Sequence, residues 1–272
     1  MGSIKSGKTH LEDYLLGLQA RGKYAFTLPQ LSALYPASEK ALYQAIFRLQ
    51  KQNKLVSVRR GFYVLVPPEY ASIKILPPVR FIDELMKHLN KPYYVSLLSA
   101  AAMHGVSHQA PQVFQVMTKQ PALRPVQKKG IKVQFYVKSE IPKHGIEQKK
   151  TEVGYINVSS PELTALDIME YNKQIGGLSR ALTILTELIE TMSPEKLSPL
   201  CNDFSITTIQ RLGYFLDKRL KARELADVIE NKLSGKVIKS IPLGVGMKTE
   251  GFPVDKKWGI IENATVQSDF EE

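Results

Sequence analysis

One run of polar side chains has the residue types and the spacing needed to read nucleic acid. Its members follow one another at helical intervals, so a helix places them on a single face. They are Lys40, Tyr43, Gln44, Arg48 and Lys51. Glutamine can pair with the edge of adenine, arginine with guanine or phosphate, and lysine with phosphate. Glu39 is the only carboxylate between residues 38 and 54. This face therefore suits a polyanion.

The sequence around these residues predicts the helix that positions them. Ser38 follows Pro36 and can accept hydrogen bonds from the free N–H groups of a new helix, and it completes the candidate binding set at that end. An apolar stripe at helical spacing must then be buried. The stripe is Leu42, Ala45, Ile46 and Leu49. Asn53 and Lys54 end the helix.

A short hairpin with a basic tip follows the helix. Apolar residues alternate on both sides of Arg59-Arg60-Gly61, so we expect Arg59 and Arg60 at an exposed turn. A helix followed by such a hairpin is the order of a winged helix-turn-helix. There the helix enters the major groove, and the hairpin tip contacts the backbone or the minor groove. The alternative is a surface helix beside an ordinary hairpin.

Two leucine-patterned helices upstream complete a predicted winged helix-turn-helix domain at residues 1–75. The first uses Leu11, Leu15 and Leu18, and the second, which we expect to start at Phe26, uses Leu28, Leu31 and Leu34. The remainder, 76–272, is predicted to have an α/β part at 76–176 and a mainly helical part at 177–272. The predicted fold class is therefore α+β.

The α/β part is predicted from alternating strands and capped helices. A helix is expected over 81–88, and a second, rich in small residues, over 93–105. Strands are expected at 113–117, 131–137 and 153–158, with lysine pairs 128–129 and 149–150 in loops. Ser160-Pro161-Glu162 is a strong helix start. The acidic tail, 266–272, is expected to be disordered.

The charge distribution adds to the prediction of a polyanion partner. The 272 residues carry a net charge of +11, with +7 in residues 1–75, +7 in residues 76–160 and −3 in residues 161–272. No long apolar run or signal-peptide pattern is present, so a cytoplasmic protein without a membrane partner is expected. Cys201 is the only cysteine, which excludes an internal disulfide. Its apolar surroundings predict a buried, inert thiol.

Signals for catalysis are weak, and no catalytic residue, metal site or cofactor is predicted. Glu147 and Lys149 have the E-x-K spacing of restriction-type nucleases, but no aspartate on an upstream strand accompanies them. His104 and His108 are four residues apart without a third ligand. A metal-dependent nuclease with a winged-helix targeting domain is the alternative function. A structural adaptor that binds no DNA is a third possibility.

The order of five segments resembles the AbiE-type antitoxin family. The segments are RRGFYVLVPPEY at 59–70, YYVSLLSAAAMHG at 93–105, YINVSSPELTALDIM at 155–169, RLGYFLD at 211–217 and WGIIEN at 258–263. The resemblance implies the antitoxin half, AbiEi, of a type IV toxin–antitoxin pair of abortive infection, a form of phage defence. It implies a non-catalytic autorepressor that binds inverted repeats of double-stranded DNA in its own promoter. It also implies that residues 76–272 counteract a nucleotidyltransferase-like toxin.

Overall fold

The computed structural model describes residues 7–34, 37–67, 70, 76–106 and 111–269. Three expectations lie outside the described residues or side chains. They concern the side chain of Leu34, His108 and the last residues of the tail, 270–272.

The N-terminal region contains three helices and a three-stranded antiparallel sheet in the order β1-β3-β2. Its elements are α1 (Gly7–Ala20), β1 (Ala25–Thr27), α2 (Leu28–Leu34), α3 (Glu39–Lys51), β2 (Leu55–Arg59) and β3 (Phe62–Leu65). The predicted helix start at Phe26 was wrong, because Ala25 to Thr27 pair with β3 instead. Helix α2 begins at the next residue. There Thr27 and Gln30 exchange backbone-to-side-chain hydrogen bonds of 2.8 and 3.3 Å, a capping box.

The leucines predicted to face inward build one apolar core in this region. Leu31 is fully buried, and Leu42, Ile46 and Leu49 of α3 are 2–5% exposed. They pack with residues of α1 and of the sheet. These are Leu11, Leu15, Leu18, Phe26, Leu55, Tyr63 and Leu65. Burial of one such side chain contributes about 1.5–3 kcal/mol, so this core fixes which face of α3 meets solvent.

The rest of the chain contains a six-stranded sheet, a group of helices and a small C-terminal sheet. After a 3₁₀ turn (Pro78–Arg80) come α4 (Ile82–His88), β4 (Tyr93–Val95), α5 (Leu97–Met103), β5 (Phe114–Lys119), β6 (Val126–Lys128), β7 (Ile131–Lys138), β8 (Ile146–Thr151) and β9 (Gly154–Ser159). Then follow α6 (Pro161–Glu170), α7 (Asn172–Ile175), α8 (Leu178–Leu188), a 3₁₀ turn (Ile189–Thr191), α9 (Pro194–Leu200), α10 (Ile206–Tyr214), a π-helical turn (Phe215–Arg219), α11 (Arg223–Leu233), β10 (Ile241–Pro242), β11 (Val254–Asp255) and β12 (Ile260–Ile261).

Both sheets of this part combine parallel and antiparallel pairs. The six-stranded order is β6-β7-β5-β4-β9-β8, with β4 parallel to β9 and β6 antiparallel to β7. The small sheet has the order β10-β12-β11. The predicted mixed α+β class is confirmed.

The chain divides into two compact units that each combine distant segments. Unit 1 comprises Met1–Tyr93, Met117–Ser139 and Gln148–Asn157, and unit 2 comprises Tyr94–Val116, Glu140–Glu147 and Val158–Glu272. Unit 1 therefore contains α1 to α4, the N-terminal sheet and the β6–β7 hairpin (residues 126–138).

Three local expectations are corrected by the structure. The single helix expected over 93–105 starts only at Leu97, because the β-prone residues Tyr93 to Val95 form β4. The first turn of α5 is capped by Gln115, whose Oε1 accepts from the Leu98 N–H at 2.9 Å. The lysines at 149 and 150 lie in β8 rather than in a loop, and Lys128 ends β6.

The described part of the tail is ordered on helix α8 of unit 2. Val266 and Ser268 are buried. The backbone N–H groups of Gln267 and Asp269 donate to the hydroxyls of Ser179 and Thr183 at 3.3 and 3.0 Å. An acidic composition is compatible with order here because the backbone finds hydroxyl acceptors on the helix.

The core of unit 2 is assembled from segments that carry the family resemblance. The buried hydroxyl of Tyr94 donates to Asp167 at 3.0 Å, which joins β4 to α6. Ser160 caps α6 as predicted, and its Oγ accepts from the Leu163 N–H. His104 meets the carbonyl oxygen of Ser159 at 2.7 Å. These motif residues are therefore used to hold the fold together.

Candidate nucleic-acid interface

Helix α3 begins as the sequence predicts. The Ser38 Oγ accepts a hydrogen bond from the Ala41 N–H at 3.3 Å, so its hydroxyl serves as the helix cap. Glu39 lies in the first turn, and Arg48 and Lys51 lie in the last turn. This distribution complements the helix dipole, which favours negative charge at the N-terminus and positive charge at the C-terminus.

All five predicted binding residues of the helix lie on its solvent face. They are Lys40, Tyr43, Gln44, Arg48 and Lys51. Tyr43 is 47% exposed. It lies near Tyr63 of the sheet, where burial first, and the Tyr43 phenol second, raise the pKa of the Tyr63 hydroxyl. The structure thus brings three cations, an amide and a phenol together on one exposed helix face.

Phe47 belongs to the same face, although the sequence reasoning did not select it. Its ring is 56% exposed, and the Lys51 Nζ lies 4.8 Å from the ring centroid. Phenylalanine is usually a core residue, so its residue type did not indicate a binding role. Its spacing could have indicated one, because Phe47 is four residues after Tyr43 and seven after Lys40, on the solvent side of the apolar stripe.

The β6–β7 hairpin holds the C-terminal end of α3. The Lys129 Nζ donates to the Gln50 carbonyl oxygen at 3.0 Å and to the Asn53 Oδ1 at 2.7 Å. Lys128 donates to the Ser57 carbonyl oxygen of β2 at 2.8 Å. All three hydrogen bonds lie within unit 1, and they tie two sequence-distant lysines to the C-terminal end of α3 and to β2.

The two arginines of the β2–β3 turn differ, which corrects the expectation that both are exposed at its tip. Arg59 is half-buried, its Nη2 donates to the Arg124 carbonyl oxygen, and its Cζ lies 5.7 Å from the Phe135 ring centroid. Burial, and then the charge of Arg124, lower the pKa of the Arg59 guanidinium. Arg60 is exposed.

The tip of this turn also meets helix α4. The Arg60 carbonyl oxygen lies 3.2 Å from the His88 Nε2. Gly61 has a φ of +73°, and a Cβ placed there would lie 3.8 Å from the His88 ring. The turn is therefore supported by its own unit and leaves only the Arg60 side chain directed to solvent.

The residues considered for catalysis do not converge. Glu147 pairs with Lys196 at 2.9 Å, and no group of three or more His, Cys, Asp or Glu among the described residues could hold a metal ion. Cys201 is buried as predicted, and burial raises the pKa of its thiol to about 11. Within the described ranges, no helix combines the length and apolar character needed to cross a membrane.

The fold of this chain has a counterpart among solved structures. Its fold is similar to the crystal structure of the RV2827C protein from Mycobacterium tuberculosis, with a TM-score of 0.67 and 14% identity over 95% of this chain and 92% of that chain. At this identity the likeness shows a shared fold. An antigenic nucleotidyltransferase-like protein from Paracoccidioides brasiliensis has a TM-score of 0.33 and 10% identity over 56% of this chain and 87% of that one, which does not show a shared fold.

A search among curated proteins gives no significant match. Residues 94–218, which include α6 and α10, match the family model of the AbiEi antitoxin C-terminal domain. This match covers a little under half of the chain and supports an AbiEi-type antitoxin.

Proposed function

We propose that this antitoxin is a sequence-specific DNA-binding autorepressor whose N-terminal region is a winged helix-turn-helix. The order α1-β1-α2-α3-β2-β3 and the antiparallel sheet support this assignment. In such a domain α3 is the helix that enters the major groove. Its solvent face supplies Lys40, Gln44 and Arg48 for that groove.

The distribution of charge between the compact units is the observation that carries the proposal. The segments of unit 1 contain 22 basic and 7 acidic residues, a net charge of +15, whereas the segments of unit 2 sum to −4. A unit of this charge attracts the phosphate backbone and releases its counterions, which gives strong, salt-dependent affinity. The excess lies in the same unit as α3.

The proposed contacts fall into two classes. Gln44 reads a base edge, and Arg48 reads guanine or holds phosphate. Lys40, Lys51 and Arg60 bind phosphate, and Tyr43 packs beside them. Ser38 and Arg59 position α3 and the β2–β3 turn, because the structure already engages both side chains within the protein.

The antitoxin role implies a toxin partner, and we propose that it is a nucleotidyltransferase-like protein, with the operator formed by inverted repeats in the antitoxin's own promoter. The pair would act in type IV abortive infection against phage. Unit 2 contains most of the matched domain and carries no excess of positive charge, so we assign toxin neutralisation to it.

The two roles are separated by surface variants of the full chain. Truncation at residue 75 is a poor tool, since unit 1 also uses residues 117–139 and 148–157. Cells carrying the toxin and a promoter–reporter fusion should express either the wild type or the triple variant Gln44→Ala, Arg48→Ala, Lys51→Ala. We expect the variant to lose repression and to keep growth rescue. Loss of both would mean that protection works through repression, and retention of both would refute the α3 interface.

A further inference from the structure

Phe47 is an exposed apolar ring at the centre of a polar, basic helix face. It is 56% exposed, with Gln44 three residues before it and Lys51 four residues after it. Single exposed apolar residues are common on protein surfaces. This one differs because its exposed neighbours one turn away, Tyr43, Gln44 and Lys51, all belong to the candidate binding set.

The ring is also held in place. The Lys51 Nζ lies 4.8 Å from the ring centroid, within the range of a cation–π contact. The opposite edge of the face carries Tyr43, one turn earlier on the helix. A ring already held by a cation can contact an apolar group without a large loss of rotamer freedom.

We infer that Phe47 contacts the C5-methyl group of a thymine and makes the protein select thymine at that position, an inference that rests on the proposed DNA binding. In the major groove only thymine presents a methyl group, and phenylalanine is among the side chains that contact it. The three residues from Gln44 to Phe47 correspond to a rise of about 4.5 Å, close to one base-pair step of about 3.4 Å. The thymine therefore lies in, or next to, the base pair whose adenine Gln44 reads.

The charges on this face favour DNA over a second copy of the chain as the occupant. Lys40, Arg48 and Lys51 share the exposed face with the ring, and Glu39 is the only carboxylate in the helix. Two such faces would repel each other, whereas phosphates complement them.

The test compares thymine with deoxyuridine, which lacks only the methyl group. The full-length protein is used to select duplexes from a random-sequence pool, and each thymine of the selected site is then replaced singly by deoxyuridine. We expect one or two replacements to weaken wild-type binding about three- to tenfold, the effect of one buried methyl. Phe47→Ala should bind the two duplexes equally. Leu16→Ala, which truncates a 61% exposed leucine on α1, is the control and should keep the wild-type discrimination.

The outcomes distinguish a failure of the thymine-contact inference from a failure of the DNA-binding proposal. If no duplex is enriched, the DNA-binding proposal fails and the inference falls with it. If duplexes are enriched but the wild type ignores the methyl group, or Phe47→Ala still discriminates, only the inference is wrong. Light scattering gives the mass of the wild type and of Phe47→Ala in solution. A lower mass for Phe47→Ala would show that the ring serves self-association and would also overturn the inference.

Discussion

The Nζ atom of Lys129 lies 2.7 Å from the Oδ1 of Asn53, and both residues have left-handed backbones, with φ of +44° and +59°. Lys129 and Gly130 form the two-residue turn between β6 and β7, a geometry that requires positive φ at both positions. Positive φ costs energy for a lysine. The contacts to Asn53 and to the Gln50 carbonyl oxygen offset that cost and place a cation at the C-terminus of α3.

Replacing Lys129 by methionine should loosen the end of α3. The variant keeps the side-chain length and the same backbone strain but loses the charge and both hydrogen bonds. We expect a loss of about 1 kcal/mol in the free energy of unfolding, measured by urea denaturation, and faster amide exchange at residues 52–54. Lys132→Met on the neighbouring strand, an exposed lysine, is the matched control. Equal behaviour of the two variants would show that the hairpin does not support the helix.

Replacing Gln44 by alanine should weaken operator binding selectively. A lost base contact costs about 1–3 kcal/mol on the specific site and little on random DNA. The affinity for both duplexes is measured by fluorescence anisotropy at one fixed salt concentration. If both affinities fall by the same factor, Gln44 does not read a base.

The two arginines of the β2–β3 turn should give different phenotypes. Arg60→Ala removes one exposed cation, so the slope of log affinity against log salt should fall by about one without loss of stability. Arg59→Ala removes a half-buried group that donates to the Arg124 carbonyl oxygen, so it should lower the free energy of unfolding. Salt titrations and denaturation curves of both variants provide the measurement. The assignment is wrong if Arg59→Ala leaves stability unchanged.

Local sequence signals predicted the N-terminal elements because those elements are stabilised by near neighbours. The Ser38 cap and the apolar stripe from Leu42 to Leu49 can be recognised from the sequence of one helix alone, and α3 forms as they indicate. The surroundings of Arg59 could not be predicted, because the Arg124 carbonyl oxygen and the Phe135 ring belong to residues more than sixty positions away in the chain. The same long range hid the anchoring of α3 by Lys129.

The charge of the candidate interface was also understated by the sequence alone. Cutting the chain in order gives +7 for residues 1–75, whereas unit 1 carries +15. Residues 117–139 add +6 to this unit, and residues 76–93 and 148–157 add +1 each. Phe47 was not included among the predicted binding residues, because phenylalanine usually belongs to the core. In the structure its ring lies on the solvent face of α3. Strand β4 was missed because tertiary pairing overrode a small-residue helical pattern.

Gly213 should tolerate no larger residue, because Trp258 fills the space above it. A Cβ at Gly213 would overlap the fully buried indole ring of Trp258, whose Nε1 donates to Asp217 at 2.9 Å. We expect Gly213→Ala to cost several kcal/mol, about 3 or more, since overpacking of a rigid aromatic forces the helix and the ring apart. Thermal unfolding is the measurement. Gly17→Ala in α1, where the nearest atom is 4.0 Å away, is the control and should be neutral or slightly stabilising.

The Cys201 thiol should be nearly inert in the folded protein. Burial raises its pKa to about 11, so almost none of the reactive thiolate exists at pH 8. An aromatic disulfide reagent should react slowly with the native protein and rapidly in denaturant. Because the folded pKa is raised, this group's contribution to stability is fully present below the pKa of an unfolded cysteine, about 8.5, and is lost as the pH rises toward the folded pKa of about 11. Rapid native reaction at pH 8 would show that the thiol is accessible.

Binding to the antitoxin's own promoter tests the central claim most directly. The full-length protein is titrated against the promoter fragment and against a scrambled fragment of equal length and composition, at low and at physiological salt. DNase footprinting then locates the protected bases. We predict tight, salt-dependent binding to the promoter with two protected half-sites arranged as an inverted repeat, and much weaker binding of the triple variant Gln44→Ala, Arg48→Ala, Lys51→Ala. Equal affinity for both fragments, or undiminished binding by the triple variant, would contradict a sequence-reading role for α3.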